Sequence, residues 1–189
     1  MTTCLTDHSE QRRRLLLALP LLGMPAVAQA NPGLDSPIGR IAWAPNQGAG
    51  PVTFAGLLGK PLVVTMSYTA CRRTCSTTML VLREMQDILD RKGRESNFAV
   101  VTYDPERDSP AEWTHYRKSR GLDRANWHFL TGTPQDTRKL ARFLDLEFWN
   151  YGKHVMHDFR IVLFDAKGRW QKEIVWDRPK DLAVFLADV

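Results

Sequence analysis

The sequence predicts an α/β fold with a mixed central sheet, because segments typical of strands alternate with segments typical of helices along most of the chain. Two buried strands are predicted over 62–69 and 97–104, and a helix over 77–93 separates them. The chain then ends in a predicted hairpin and a last helix. A hairpin adds antiparallel strands to a sheet that is otherwise built by helical crossovers, so the sheet should be mixed.

Each of the first three elements is predicted from its own residues. Apolar and β-branched residues fill 62–69, and the run over 97–104 ends in the turn DPERDSP. Gly93 closes the helix between them. The apolar residues at helical spacing in that helix are Leu80, Met85, Ile88 and Leu89.

The second half of the chain continues the alternation. Pro110 in the first turn and Gly121 beyond the end mark one helix, and Thr133-Pro134 begins another. A hairpin is predicted to turn at Ala166-Lys167-Gly168. The predicted elements are, in chain order, helix 110–121, strand 127–132, helix 133–146, strands 159–165 and 170–176, and a helix within 178–189.

Residues 1–30 are predicted to be a secretory signal peptide, followed by a single domain over 31–189. Three arginines at 12–14 precede a short apolar stretch, and small residues at 28–30 form a cleavage site. The stretch is shorter than the roughly 20 residues of a membrane span. We therefore expect a periplasmic or otherwise extracytoplasmic protein, with membrane contact only if the segment stays attached as an anchor.

The composition is that of a globular domain, since 43% of the 189 residues are hydrophobic and 25% are charged. The formal net charge of +5 includes the arginines of the predicted signal peptide. The other basic residues are scattered along the chain, whereas nucleic-acid binding needs them clustered. We therefore predict no nucleic-acid partner.

Two cysteines indicate the chemistry of the candidate functional site. Cys4 leaves with the signal peptide, so Cys71 and Cys75 remain as one close pair, which does not make a disulfide-stapled scaffold. Four residues apart at a helix start, their Cβ atoms would lie roughly 5–6 Å apart. The helix N-terminus and the neighbouring Arg72 and Arg73 favour thiolates. Soft thiolates select Cu(I) and, with nitrogen ligands, hold Cu(II) or zinc; a disulfide or a redox pair stays open.

A third ligand would come from a histidine. His115 lies in a polar helix and is predicted to be solvated, and His128 is predicted to lie in a strand at the edge of the core. His154 and His157 lie three residues apart in YGKHVMHDF, a segment that ends a loop before a strand. The residues alone leave open whether one of these two is a ligand or both belong to a surface loop.

Methionine and aspartate side chains are further candidates. Met79 and Met156 offer thioethers suited to Cu(I), although a methionine at such spacing is more often core filler. Asp104 and Asp108 follow a strand, where sites in α/β sheets commonly lie. They are typical either of a turn and a helix cap or of groups that support a neighbouring metal or thiol.

Several of these segments together resemble the Sco/SenC family, copper-binding proteins that assist assembly of the binuclear copper centre of cytochrome c oxidase. The family's strand ending in YTxC, three residues and a second cysteine is matched by 68–75. Its DPxRDTP segment is matched by DPERDSP at 104–110, and its LTG strand with the following helix by 130–144. His157 has the family's spacing to a later DxxG turn. The resemblance covers roughly 40–188.

The resemblance implies a thioredoxin-like fold, with a mixed central sheet flanked by helices and a late hairpin. It also implies a copper site, for Cu(I) or Cu(II), formed by Cys71, Cys75 and His157, and it selects His157 over His154.

Two departures from the family pattern lie beside these ligands. Arg72 and Ser76 stand where the family usually has proline after each cysteine. The histidine lies in Met156-His157-Asp158 rather than in DHS or DHT.

The function implied is that of an exported metallochaperone, a copper carrier rather than an enzyme. Its partner would be a copper-receiving protein such as a copper subunit of cytochrome c oxidase. Two alternatives stay open. One is a thiol–disulfide reductase, with Cys71 attacking and Cys75 resolving, that keeps the cysteines of the receiving protein reduced. The other is a sensor whose binding to a partner depends on copper or oxidation.

Overall fold

The computed structural model describes residues 32–46, 50–71, 74–152, 154–175 and 182–187, with only the backbone at 74–76. The predicted signal peptide and Arg72 and Arg73 lie outside the described residues. Within the described part of the chain, no helix combines the length and the apolar character needed to cross a bilayer.

Eight strands lie among the described residues, six in a main sheet and two in a separate ribbon. They are β1 (Ala44–Pro45), β2 (Leu62–Ser67), β3 (Asn97–Thr102), β4 (Trp127–Thr131), β5 (Phe148–Tyr151), β6 (His154–His157), β7 (Arg160–Phe164) and β8 (Trp170–Val175). The helices are α1 (Thr74–Arg91), α2 (Pro110–Arg120), α3 (Pro134–Phe143) and α4 (Leu182–Phe185), with 3-10 turns at Pro37–Arg40 and Ala55–Leu57.

The main sheet has the order β1-β4-β3-β2-β7-β8. Strands β2, β3 and β4 are parallel neighbours, because α1 and α2 carry the chain back between them. The β7–β8 hairpin then adds two antiparallel strands beside β2, and β1 pairs antiparallel with β4. The predicted α/β class with a mixed sheet and a late hairpin is confirmed.

Two apolar clusters cover the two faces of this sheet. Leu62, Val64 and Met66 of β2 belong to one cluster, together with Leu140 of α3. Val63 belongs to the other, which also holds the buried residues of α1, α2 and α4. This division follows the alternation of side chains along a strand. A strand buried on both faces consists of an almost continuous apolar run, as the sequence over 62–67 does.

Two of the helices begin at the residues that the sequence indicates. Ser109 caps α2 by accepting a hydrogen bond from the backbone N–H of Glu112 at 3.2 Å. Thr133 caps α3 by accepting one from the N–H of Asp136 at 3.1 Å. Gly121 follows α2 with φ of 63°, the left-handed conformation that glycine adopts without strain.

The first helix differs from the prediction in its start and in one residue of its buried face. It begins at Thr74, three residues before the predicted start. Leu80 was expected to face the core but is 63% exposed, whereas Met79 and Leu82 on the neighbouring positions are buried. Met85, Ile88 and Leu89 are buried as predicted. Each residue turns the helix by about 100°, so Leu80 falls beside the stripe through Met79 and Leu82.

Part of the segment YGKHVMHDF, which is predicted to end a loop, is a strand instead, so the prediction is wrong for that part. Its residues 154–157 are strand β6, which pairs antiparallel with β5 in the separate two-stranded sheet. His157 therefore ends β6, and β7 starts at Arg160. Gly152, with φ of 60°, lies in the turn between β5 and β6.

Candidate metal centre

The candidate site lies at the carboxyl ends of β2 and β3. Tyr68 follows β2 and Tyr103 follows β3, and the last residues of these parallel strands, Ser67 and Thr102, are register partners. The N–H of Tyr103 donates to the carbonyl of Ser67 at 2.9 Å. Both tyrosines therefore emerge at the same edge of the sheet, the usual place for sites in α/β folds.

His157 contacts both tyrosine rings. Its imidazole stacks on Tyr103 with centroids 4.4 Å apart and 22° between the planes. It meets Tyr68 edge to face, with centroids 5.8 Å apart. Stacking on one ring and an edge-to-face contact with the other together restrict the orientation of the imidazole.

The tautomer of His157 follows from its hydrogen bond. Nδ1 lies 2.7 Å from the backbone carbonyl oxygen of Asp158. A carbonyl oxygen only accepts, so Nδ1 carries the proton and the lone pair of the neutral ring is on Nε2. A backbone carbonyl on one ring nitrogen is the usual way in which proteins orient a histidine that ligates metal through the other.

Asp158 is held in place by three further hydrogen bonds. The hydroxyl of Tyr103 donates to the Asp158 carbonyl at 3.1 Å. The carboxylate of Asp158 accepts from the N–H of Glu147 at 3.0 Å, and the Asp158 N–H donates to the Glu147 carbonyl at 3.0 Å. The acceptor that orients His157 is therefore itself held in place.

Cys71 lies in the loop between β2 and α1. Its N–H donates to the carbonyl of Tyr68 at 3.3 Å, and the residue is 7% exposed. It packs in the same apolar cluster as Tyr68 and Tyr103. Tyr68 therefore contacts both residues: its carbonyl accepts from the N–H of Cys71, and its ring meets the imidazole of His157.

Cys75 lies in the first turn of α1, as the backbone shows. Its side chain lies outside the described part of the structure. Among the side chains that the structure does describe, no three of His, Cys, Asp or Glu lie close enough to hold a metal ion. The ligand set Cys71, Cys75 and His157 therefore stays a prediction.

Asp108 supports the cysteine loop directly. Its buried carboxylate accepts hydrogen bonds from the N–H of Thr69, at 3.1 and 3.2 Å, and from the Thr69 hydroxyl. The hydroxyl of Thr102 donates to it at 2.6 Å. Burial raises the pKa of Asp108 above its ordinary value, although these three donors lower it. Thr69 is two residues before Cys71, so this carboxylate connects the DPERDSP turn to the loop.

Asp104 is a turn residue, the first of the two roles predicted for the aspartates. Its carboxylate pairs with Nε of Arg107 at 2.9 Å, and its N–H donates to the Thr102 hydroxyl at 2.8 Å. Asp104 therefore closes a turn. The helix cap is Ser109 rather than either aspartate.

The remaining candidate histidines and methionines differ in their exposure to solvent. His115 is exposed on α2, and His128 is partly buried on β4, both as predicted. Burial and the nearby Arg117 lower the pKa of His128. Met79 is 4% exposed in the core, as expected for core filler, but Met156 is 46% exposed.

The aromatic contacts around His157 were missed at the level of the sequence. The motif YTxC contains Tyr68 and the predicted strand 97–104 contains Tyr103, but neither pattern indicates a contact with His157. A tyrosine at the carboxyl end of each of two successive predicted strands was the available signal, because parallel strands bring such residues together.

The chain is similar to known proteins both in sequence and in fold. The SCO1/SenC family model matches residues 44–184, most of the chain. The chain therefore belongs to the SCO1/SenC family. A candidate copper-binding protein of Stutzerimonas stutzeri is 29% identical over 99 residues, which are 52% of this chain and 47% of that protein. The chain thus matches about half the length of that relative.

Solved structures share the fold. ScoI of Bradyrhizobium japonicum with copper bound is 25% identical, with a TM-score of 0.65 over 78% of this chain and 95% of that one. BsSco, a member of the Sco family of cytochrome c oxidase assembly proteins, is 20% identical, with a TM-score of 0.66 over 78% of this chain and 88% of that one. The thioredoxin-like fold is confirmed by these neighbours.

Proposed function

We propose that this SCO1/SenC protein is an exported copper metallochaperone that binds copper through Cys71, Cys75 and His157 and passes it to a copper enzyme. The observation that carries the proposal is the orientation of His157. Its Nδ1 is hydrogen-bonded to a fixed carbonyl, and its ring lies against the tyrosine that precedes Cys71.

The donor set suits copper in both oxidation states. Two thiolates are sufficient for Cu(I), which is soft and accepts low coordination numbers. A third, imidazole ligand completes a site for Cu(II), and Nε2 of His157 supplies it. A relative and a solved neighbour described as copper-binding support this assignment.

The export of the protein and the identity of the copper-receiving protein, here called the client, are inferred from other features. Export rests on the basic, apolar and small-residue segments within 1–30. Delivery to a copper subunit of cytochrome c oxidase rests on the family and on the assembly role described for BsSco. Copper would move to that client by exchange of ligands, one donor of the receiving protein replacing one of this chain at a time.

Copper titration of matched variants tests the site. We expect Cys71→Ala to weaken binding of both Cu(I) and Cu(II), and His157→Ala to weaken Cu(II) far more than Cu(I). His115→Ala is the control, because this histidine is exposed on α2 and belongs to neither the cysteine loop nor β6. Unchanged Cu(II) affinity in His157→Ala, or a loss of the same size in His115→Ala, would sink the proposal.

The thiol–disulfide reductase is the second candidate function. Attack on a partner's disulfide requires access to Cys71, and so does exchange of copper with a receiving protein, so the 7% exposure of Cys71 does not separate the two functions. Reduction of a small disulfide substrate by wild type and by His157→Ala separates the two functions. A metallochaperone gives slow turnover in both proteins, whereas fast turnover that survives His157→Ala would favour the reductase.

A further inference from the structure

The ribbon formed by β5 and β6 has two faces of different character. Side chains alternate along each strand. Val155 and His157 point to the side that packs on the core, with Val155 3% exposed. His154 and Met156 therefore share the opposite side, and both are exposed there.

Two aromatic residues of β5 share that exposed side. Trp149 is the register partner of Met156, and Tyr151 is the register partner of His154. Residues directly opposite each other in an antiparallel pair have Cβ atoms roughly 4.5–5.5 Å apart. Trp149, Tyr151, His154 and Met156 are called the outer ribbon face below.

The exposure of the outer ribbon face is unusual. Trp149 is 55%, Tyr151 71% and Met156 46% exposed. These three account for most of the large exposed apolar side chains of the described residues, the others being Leu80 and Val184. A cluster of exposed apolar residues marks a surface with a binding role more often than single ones do.

We propose that His154 and Met156 form a second, transient Cu(I) site on the outer ribbon face, with the indole of Trp149 covering the ion. Imidazole and thioether are both ligands of Cu(I), and the thioether discriminates against harder ions. The indole face attracts a cation, and a methionine sulfur packs well against an aromatic ring.

The spacing fits two ligands on one ion. Residues two apart in a strand lie roughly 7 Å apart along it. The three side-chain torsions of Met156 let its sulfur cover the remaining distance to an ion held by His154. A pair of ligands on an open surface leaves a coordination position for a donor of another protein, as a transfer site requires.

The position of this pair connects it to the main site. Met156 and His157 are consecutive residues that point to opposite sides of one strand. An ion released at the outer ribbon face is therefore separated from His157 by the ribbon alone. This role in transfer rests on the proposed function, but binding at the pair does not depend on it.

The test isolates the pair from the cysteines. The full chain carrying Cys4→Ser, Cys71→Ser, Cys75→Ser and His157→Ala is titrated with Cu(I) under anaerobic conditions against a chromophoric Cu(I) chelator. We expect this background to retain one weak site and to show quenching of tryptophan fluorescence. Adding Met156→Leu or His154→Ala should remove both signals, and adding His115→Ala should change neither.

A second measurement covers the case in which the fourfold variant does not fold. The native chain is titrated beyond one equivalent of Cu(I), and quenching by the second equivalent is recorded. We expect Trp149→Phe to remove that quenching without removing the binding, and Met156→Leu to remove both. Second-equivalent binding that survives both Met156→Leu and His154→Ala would overturn the site. That outcome would say nothing against the cysteine site. Failure of the native chain to bind its first equivalent of Cu(I), by contrast, would count against the proposed function.

Discussion

The carboxylate of Asp108 accepts a hydrogen bond from the backbone N–H of Thr69, two residues before Cys71. The two residues are far apart in the sequence and belong to loops that follow neighbouring parallel strands. The buried carboxylate also accepts from the hydroxyls of Thr69 and Thr102. The conformation of the cysteine loop therefore depends on a charged group of the next loop.

We expect Asp108→Ala to lower both the free energy of unfolding and the affinity for copper. The substitution leaves the Thr69 N–H and the Thr102 hydroxyl without their acceptor, which costs about 1–3 kcal/mol in a buried position. A looser loop should weaken Cu(I) binding roughly tenfold, as loss of a group that supports ligands commonly does. Urea denaturation and Cu(I) competition measure the two effects.

The control for that variant is Asp104→Ala. Asp104 lies in the same turn, but its carboxylate pairs with the half-exposed Arg107. Its removal should cost less stability and leave Cu(I) affinity near that of the wild type. Equal losses in the two variants would contradict a specific role of Asp108 in the loop.

The pH dependence of stability should reveal the buried state of Asp108. Burial raises its folded-state pKa above the ordinary 3.8. The pKa of Asp108 in the unfolded protein stays near the ordinary value. As the pH falls from the folded-state pKa to the unfolded-state pKa, Asp108 therefore binds a proton in the folded protein before it does so in the unfolded protein. The wild type should therefore gain stability relative to the non-titrating Asp108→Asn as the pH falls, and lose that gain as the pH rises.

Unfolding of the two proteins by urea across this pH range measures the difference. Carboxylates whose pKa is lowered, such as those of Asp136 and Asp165, contribute with the opposite sign, but they are common to both proteins and cancel. A difference that is constant with pH, or that grows as the pH rises, would contradict the raised pKa.

Gly132, which follows β4, is predicted to be intolerant of a side chain. A Cβ there would lie 2.5 and 2.7 Å from two ring carbons of the buried Trp43. We expect Gly132→Ala to destabilise the domain by about 1–3 kcal/mol, the usual cost of overpacking. Gly50→Ala is the control, because a Cβ at Gly50 meets nothing within 4 Å. Thermal unfolding compares the two, and equal melting temperatures would contradict the clash.

The main sheet could be predicted because its signals are strong and local. Strands buried on both faces, such as 62–67, consist of nearly continuous apolar runs, and helices with caps separate them. The β5–β6 ribbon gave no such signal. Its outer face carries Trp149, Tyr151 and Met156, so apolar residues occur on both faces and the alternation that predicts a half-buried strand is missing.

The site could be predicted only in part. Cys71, Cys75 and His157 carry reactive groups, so their residue types and spacing indicate metal chemistry. The acceptor that sets the tautomer of His157 is the backbone carbonyl of Asp158, and a carbonyl has no signature in the sequence. The stacking of His157 on Tyr103 joins the end of β6 to the residue after β3, and local sequence patterns do not determine such a long-range contact.

Tyr103 should influence Cu(II) binding more than Cu(I) binding. Its ring stacks on His157, and its hydroxyl donates to the carbonyl that orients the same imidazole. Tyr103→Leu removes both contacts and should lower Cu(II) affinity roughly tenfold. Cu(I), held by the cysteines, should bind nearly as in the wild type. Tyr103→Phe keeps the stacking and should give a smaller loss, and equal losses of Cu(I) and Cu(II) affinity would show that Tyr103 supports the fold rather than the imidazole.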